Sequence, residues 1–195
     1  VFYDNSKIEN GISVNEAGQK MGLKPGDKIL KIDGKPALSF NNSAINMLFA
    51  DQVTVMREGK EVTFDINKEG VGEVLKSGGR GYIAPRVPVV VDSAIAGGAK
   101  EAGLIKGDKI VGVNGKSIMF FDELATALNE NKNKKISLEF IRNGQNQTAE
   151  ASVDKEGKLG FKIDEAQTMA VLEKAKVTKE FGFFEAVGRG FGRTI

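Results

Sequence analysis

Apolar and polar residues alternate in two short stretches, 28–32 (Lys-Ile-Leu-Lys-Ile) and 109–113 (Lys-Ile-Val-Gly-Val), the period of a β-strand with one buried face. Each is preceded by an Ala- and Gly-rich segment, 15–21 and 93–102, that suits a stubby helix with Gly22 or Gly103 as its left-handed C-terminal cap. Gly26-Asp27 and Gly107-Asp108 then suit tight turns, and Asp33-Gly34 and Asn114-Gly115 are strong turn dipeptides. Beyond them the period becomes helical. Phe121, Leu124, Ala125 and Leu128 recur at spacings of three and four, with Asp122 and Glu123 in the first turn, where the helix dipole favours acids. Phe40, Ala44, Ile45, Leu48 and Phe49 are arranged similarly. Two hairpins come after these helices: 53–56 turning at Glu58-Gly59 into 62–66, and 136–141 turning at Asn143-Gly144 into 148–153.

The pattern occurs twice because the sequence does. Residues 22–35 return 81 positions later as residues 103–116, with eight of fourteen positions identical. Arg57-Glu58-Gly59 matches Arg142-Asn143-Gly144 at an offset of 85, and Lys68-Glu69-Gly70 matches Lys155-Glu156-Gly157 at 87, a drift that loop insertions would produce. The pattern predicts two like units in tandem, each a small barrel-like set of strands with one short and one longer helix.

Composition narrows the chemistry. The 195 residues carry 28 basic and 26 acidic side chains, a net charge of +2, so no long-range field gathers phosphate backbones and nucleic acid is not an expected partner. There are no cysteines and no histidines. Their absence removes disulfides, thiolate nucleophiles, Ser-His triads and nearly all zinc chemistry from these residues. Gly115-Lys116-Ser117 lacks the earlier glycine of a phosphate loop, since Ile110 stands there. Gly79-Arg80-Gly81-Tyr82-Ile83-Ala84 fits a loose dinucleotide fingerprint, but no apolar strand precedes it and Pro85 ends it. Ser152 and Lys155, spaced like a Ser-Lys pair, fall at a hairpin end and not on one helix face. The longest apolar run, 87–91, contains Pro88 and is far too short to span a bilayer. Beginning at Val1-Phe2-Tyr3, the chain reads as a piece of something longer.

The order Ala102-Gly103-Leu104, Gly107-Asp108, an alternating strand over 110–113, then Asn114-Gly115, resembles bacterial PDZ domains. These are of the circularly permuted kind found in HtrA proteases and in RseP-type intramembrane site-2 zinc metalloproteases, the regulator of sigma-E protease family. The resemblance covers about residues 5–155. Residues 158–163 followed by 177–186 look like the segment that in site-2 proteases leads from the second PDZ domain to the next membrane helix, a segment HtrA chains lack. Residues 79–86 look like the opening strand of that second domain.

The resemblance implies an α+β, mainly β architecture of two tandem PDZ-like domains, each a partly open β-barrel with two helices. It divides the chain into 1–70, 71–158 and a C-terminal strand with a juxtamembrane linker, 159–195. It implies a non-catalytic region, soluble by itself, on the periplasmic face of the inner membrane. The parent would be a multi-pass protease whose zinc is bound outside these residues, so no cofactor and no catalytic residue are expected here. Expected partners are the parent's membrane domain and the extended peptide or C-terminus of a membrane-protein substrate such as an anti-sigma factor. The alternative is a peptide-binding scaffold of an HtrA-like, secretion or chaperone system.

In PDZ domains a ligand's C-terminal segment adds as a strand, backbone amides hold its carboxylate, and a helix faces its side chains. Carried onto this chain, the expected groove joins the loop and strand of Gly79, Gly81, Tyr82, Ile83 and Ala84 to Phe121, Ala125 and Leu128 of the second helix, with Leu124 turned toward the core. A core stripe has the same period, so these apolar positions suit an ordinary interior equally. A second role needs no ligand: two rigid modules could screen substrates by size. The tail, with Phe181, Phe183, Phe184, Phe191, Arg189 and Arg193, has the composition of a membrane interface.

Overall fold

Four tight turns set the strand order. Asp33-Gly34, Glu58-Gly59, Asn114-Gly115 and Asn143-Gly144 each hold both residues at positive φ (47° and 73°, 49° and 78°, 52° and 77°, 51° and 78°), as a two-residue hairpin matched to strand twist requires. The computed structural model describes residues 2–177, so the tail of aromatic and basic residues expected at the membrane interface lies outside the described residues.

The first unit contains β1 (Phe2–Tyr3), a 3-10 turn (Asn5–Lys7), β2 (Ile12–Val14), α1 (Glu16–Lys20), β3 (Lys28–Ile32), β4 (Lys35–Pro36), α2 (Phe40–Asn46), β5 (Gln52–Arg57), β6 (Lys60–Asp65), α3 (Lys68–Lys76) and β7 (Ile83–Pro85). The second contains β8 (Val91–Ala94), α4 (Gly97–Glu101), β9 (Lys109–Val113), β10 (Lys116–Ser117), α5 (Phe121–Glu130), β11 (Lys135–Arg142), β12 (Gln145–Ser152) and β13 (Phe161–Ile163). After it, α6 (Glu165–Ala175) and β14 (Lys176–Val177) return to the first unit, where β14 pairs with β1 and Ala175 joins the first core.

Each unit has an antiparallel four-stranded sheet, ordered β4-β3-β5-β6 and β10-β9-β11-β12, and a separate two-stranded ladder, β2-β7 and β8-β13. These sheets do not close into a barrel. Two separate clusters of buried side chains form the interior. One centres on Ile12, Met21, Met47, Val55 and Tyr82, the other on Val91, Ile110, Leu124, Leu138 and Leu159.

The ladders correct where the units divide. A break near residue 70 would put α3 and β7 in the second unit, yet Val71 and Val74 are buried in the first core and β7 pairs with β2. Helix α3 lies so close to the end of α1 that a Cβ at Gly70 would stand 2.4 Å from the Met21 nitrogen, and Lys20 reaches Glu73 at 2.6 Å. Strand β13 belongs with the second unit, not with a C-terminal linker, because it pairs with β8 and Leu159 is in the second core. Of the first helix stripe, Phe40 and Leu48 are buried, whereas Ile45 and Phe49 are 58% and 78% exposed. Residues 93–94, expected to be helical, extend β8.

The Gly-Asp of each repeat does more than turn the chain. Asp27 and Asp108 are each 1% exposed, and an ionised carboxylate so placed needs partners on both oxygens. Asp27 accepts from the Lys24 N–H at 2.8 Å and from Arg57 Nε and Nη2 at 2.8 and 2.7 Å. Asp108 accepts from the Ile105 N–H at 2.9 Å and from Arg142 Nε and Nη2 at 2.8 and 2.7 Å. The same Arg Nη2 groups donate to the carbonyls of Gly22 and Gly103 at the ends of α1 and α4. One ion pair thus joins helix end, loop and hairpin in each unit.

Removing Arg57 leaves the Asp27 carboxylate buried without its cation, so Arg57→Met should destabilise the first unit by about 3 kcal/mol in guanidinium unfolding. A variant as stable as wild type would show that the pair is dispensable. In the second unit, burial raises the Asp108 pKa, but the Arg142 hydrogen bonds, the Ile105 N–H and the Arg142 charge outweigh it and hold the group below its ordinary 3.8. The stabilisation is therefore complete above pH 3.8 and lost as pH falls through the lower folded value. Unfolding midpoints measured down this range should fall for wild type and flatten for Asp108→Asn.

Candidate functional site

A glycine at the start of β13 lets the backbone come in close. Gly160 has φ +84°, and a Cβ there would lie 2.4 Å from the Ala96 carbonyl oxygen. Its own carbonyl accepts from the Ile95 and Ala96 N–H groups at 2.7 and 3.0 Å, which ties the strand to the start of α4. β13 then pairs with β8 through Phe161↔Ala94, Lys162↔Ser93 and Ile163↔Val91, with a register shift between Lys162 and Ile163. Its other edge has no strand partner among the described residues.

Between β13, the start of α5 and α6 lies a groove of about 970 Å³. Its apolar walls are Val87, Phe121, Phe161, Ile163, Ala166 and Met169, with Asp92, Lys162, Asp164 and Glu165 at its polar positions. Phe121 and Met169 remain 42% and 46% exposed, large apolar side chains left partly uncovered. Asp92 is held below the usual carboxylate range by its hydrogen bond to Lys106 at 2.8 Å. An unpaired strand edge beside partly exposed apolar side chains is an arrangement that can receive an extended peptide by strand addition.

The first unit has the same elements, but its opening, about 720 Å³, is lined by Leu38, Asn42, Asn46 and Phe49 and not by its closing strand. Asn15 and Ala96 are the N-cap residues of α1 and α4. The Asn15 N–H donates to the Tyr82 carbonyl at 3.0 Å as the Ala96 N–H does to Gly160, so Tyr82 stands where the second unit has glycine. The Tyr82 ring is 1% exposed and its hydroxyl donates to the Ala44 carbonyl of α2 at 2.6 Å. The side chain bridges the space between β7 and α2, and burial pushes its hydroxyl well above the usual phenol range.

The groove residues expected from the sequence are therefore split between the units. Gly79 and Gly81, both at φ +71°, with Tyr82, Ile83 and Ala84, belong to the closing strand of the first unit and are not brought to α5. Of the helix residues, Phe121 lines the open groove, Ala125 is half-buried, and Leu128 lies in the second core at 5% exposure beside the fully buried Leu124. Sequence reasoning missed Phe161, Ile163 and Met169. A signal for β13 was present: Gly81-Tyr82-Ile83 and Gly160-Phe161-Lys162-Ile163 each come after a Lys-Glu-Gly, so both close a repeat.

Among the described residues no group of three or more acids could hold a metal ion, and no helix is long and apolar enough to cross a membrane. Residues 89–142 match the family model for the PDZ domain. The second unit is thus similar to PDZ domains over this segment. A curated relative, named "Putative zinc metalloprotease", of Neisseria meningitidis serogroup A / serotype 4A, is 29% identical over 148 residues, which cover 69% of this chain and 33% of the relative. The chain thus matches about a third of the relative's length. The PDZ match ends within the hairpin before β13, so the groove is completed by a strand beyond the matched segment.

Two glycines at similar φ offer a contrast that isolates the close approach. Gly81→Ala meets no atom within 4 Å and should cost about 1 kcal/mol of backbone strain, whereas Gly160→Ala adds a clash with Ala96 and should cost roughly twice that. Amide exchange of Ile95 and Ala96 should quicken in the second variant alone. Equal exchange in both would show that β13 is not held there.

Proposed function

We propose that this chain is the non-catalytic PDZ tandem of an RseP-type intramembrane zinc metalloprotease. On this reading the second PDZ unit receives the extended C-terminal segment of a membrane-protein substrate, such as a trimmed anti-sigma factor, along the free edge of β13. The observation that carries the proposal is the open groove: an unpaired strand edge opposite the uncovered Phe121. The peptide's backbone bonds to β13, its apolar side chains lie against Phe121, Phe161 and Ile163, and its carboxylate rests near Gly160, where β13 begins. The likeness to a zinc metalloprotease, together with the absence of any His or Cys, supports a regulatory region whose zinc and catalytic groups lie elsewhere in the parent. Such a region would stand on the periplasmic face of the inner membrane, beside the parent's membrane domain.

The first unit, with Tyr82 across its strand-to-helix gap, supports a second role, that of a wall which limits the size of what reaches the protease. A PDZ scaffold from a secretion or chaperone system could use the same groove, but the metalloprotease likeness favours the protease.

A fluorescent peptide with an apolar C-terminus and free carboxylate should bind the chain one to one. Phe121→Glu should weaken binding about tenfold or more, and Ile45→Glu in the first unit should leave it unchanged. Phe121 is the informative position because it is exposed; Leu128→Glu would disrupt the core. Equal binding by wild type and Phe121→Glu would remove the groove from the proposal. In the whole parent, substrates with bulky external domains should be cleaved far less than trimmed ones, and equal cleavage would refute the filter.

A further inference from the structure

The groove's helix is held in place from the other unit. The Arg86 N–H donates to the Gly11 carbonyl at 3.0 Å, extending the β2–β7 ladder of the first unit by one bond. The Arg86 side chain points the other way, into the first turn of α5. Nε and Nη2 donate to Asp122 Oδ2 at 3.0 and 2.7 Å, and Nη2 also donates to Glu123 Oε1 at 3.1 Å. The guanidinium lies 4.7 Å from the centre of the Phe120 ring. The Arg86 and Asp122 side chains are only 12% and 17% exposed, so this pair is shielded from salt more than a surface bridge would be. Glu123 uses its second oxygen to accept from the Met119 and Phe120 N–H groups at the start of the helix.

Phe121, the helix residue that forms the groove wall, sits between these contacts, and its N–H donates to the carbonyl of Val87, the residue after Arg86. One cation therefore offsets two carboxylates beside Phe121. Asp122 Oδ1 is buried with no partner among the described residues, so Arg86 is the cation that this carboxylate has beside the helix N-terminus. Without the cation, the side chain of Asp122 would lose its ion pair, and the first turn of α5 would lose its side-chain tie to Arg86.

We propose that Arg86 is a positioning residue: it fixes the groove wall of the second unit to the first and thereby couples peptide capture to the relative orientation of the two units. The inference rests on the groove reading for its ligand, but the orientation it predicts does not. Coupling of this kind is reciprocal, so a peptide that steadies α5 must steady the inter-unit arrangement by the same factor.

The cysteine-free chain allows a direct test. Spin labels on single cysteines introduced at the exposed positions Lys60 and Asn146, one in each unit, report the distance between units by pulsed electron resonance. Wild type should give one narrow distance distribution. Arg86→Gln should broaden it and weaken binding of the fluorescent peptide about tenfold, Asp122→Asn should do the same, and the double variant should be no worse than either single one. An unchanged distance distribution in Arg86→Gln overturns the proposal. So does loss of hydrogen-exchange protection in the β9–β11 ladder, which would make Arg86 a residue of the fold alone. If wild type binds no peptide while Arg86→Gln still broadens the distribution, the groove reading fails and the positioning role stands.

Discussion

The two units are built around one buried carboxylate each. An aspartate at 1% exposure would be ruinous unpaired, and the arginine that pairs it sits at the far end of a hairpin, 30 residues away in the first unit and 34 in the second. The pair forms only when the hairpin, the loop and the preceding helix are all in place. Once formed, it also orders the neighbouring ladder: the glycines just before these aspartates, Gly26 and Gly107, donate to Ile12 and Val91, which sets β2 and β8 where closing strands can find them. The guanidiniums are themselves covered by rings from different strands, Phe64 over Arg57 and Phe140 over Arg142. The ion pair is kept while its cover is free to change.

Where the units part company is one position in the closing strand. Tyr82 satisfies its hydroxyl on Ala44 and fills the space between the closing strand and α2, so the first unit gains buried aromatic area there. Gly160 contributes no side chain, and its positive φ lets β13 begin against α4 while Phe121 stays uncovered. An uncovered aromatic of this size lowers stability relative to a filled site.

Turn dipeptides, alternating strands and helix stripes were legible because each is encoded within a few neighbouring residues. Asp33-Gly34 and Asn114-Gly115 turn where read, and β3 and β9 occupy the segments whose alternation predicted them. The partner of a three-residue strand is not local information. β7 pairs across about seventy residues with β2, and nothing in Gly81-Tyr82-Ile83 says whether it opens one unit or closes another. A helical period likewise cannot say which stripe residues face a core and which a groove, since Leu128 is interior and Phe121 is not. Arg86 carried no signal: its role comes from standing between a ladder that ends and a helix that begins.

This placement bears on how capture and filtering could coexist. A flexible joint would let the second unit catch a peptide in any orientation and would make a poor wall, because a wall excludes only if its parts keep their spacing. The Arg86 ladder bond and shielded ion pair act beside the return of α6 and β14 to the first unit, and on the proposed reading they end on the helix beside the ligand. Since the same turn carries Phe121, any distortion that opened the joint would also spoil the groove. On the proposed reading, capture and filtering would rest on one mechanical property.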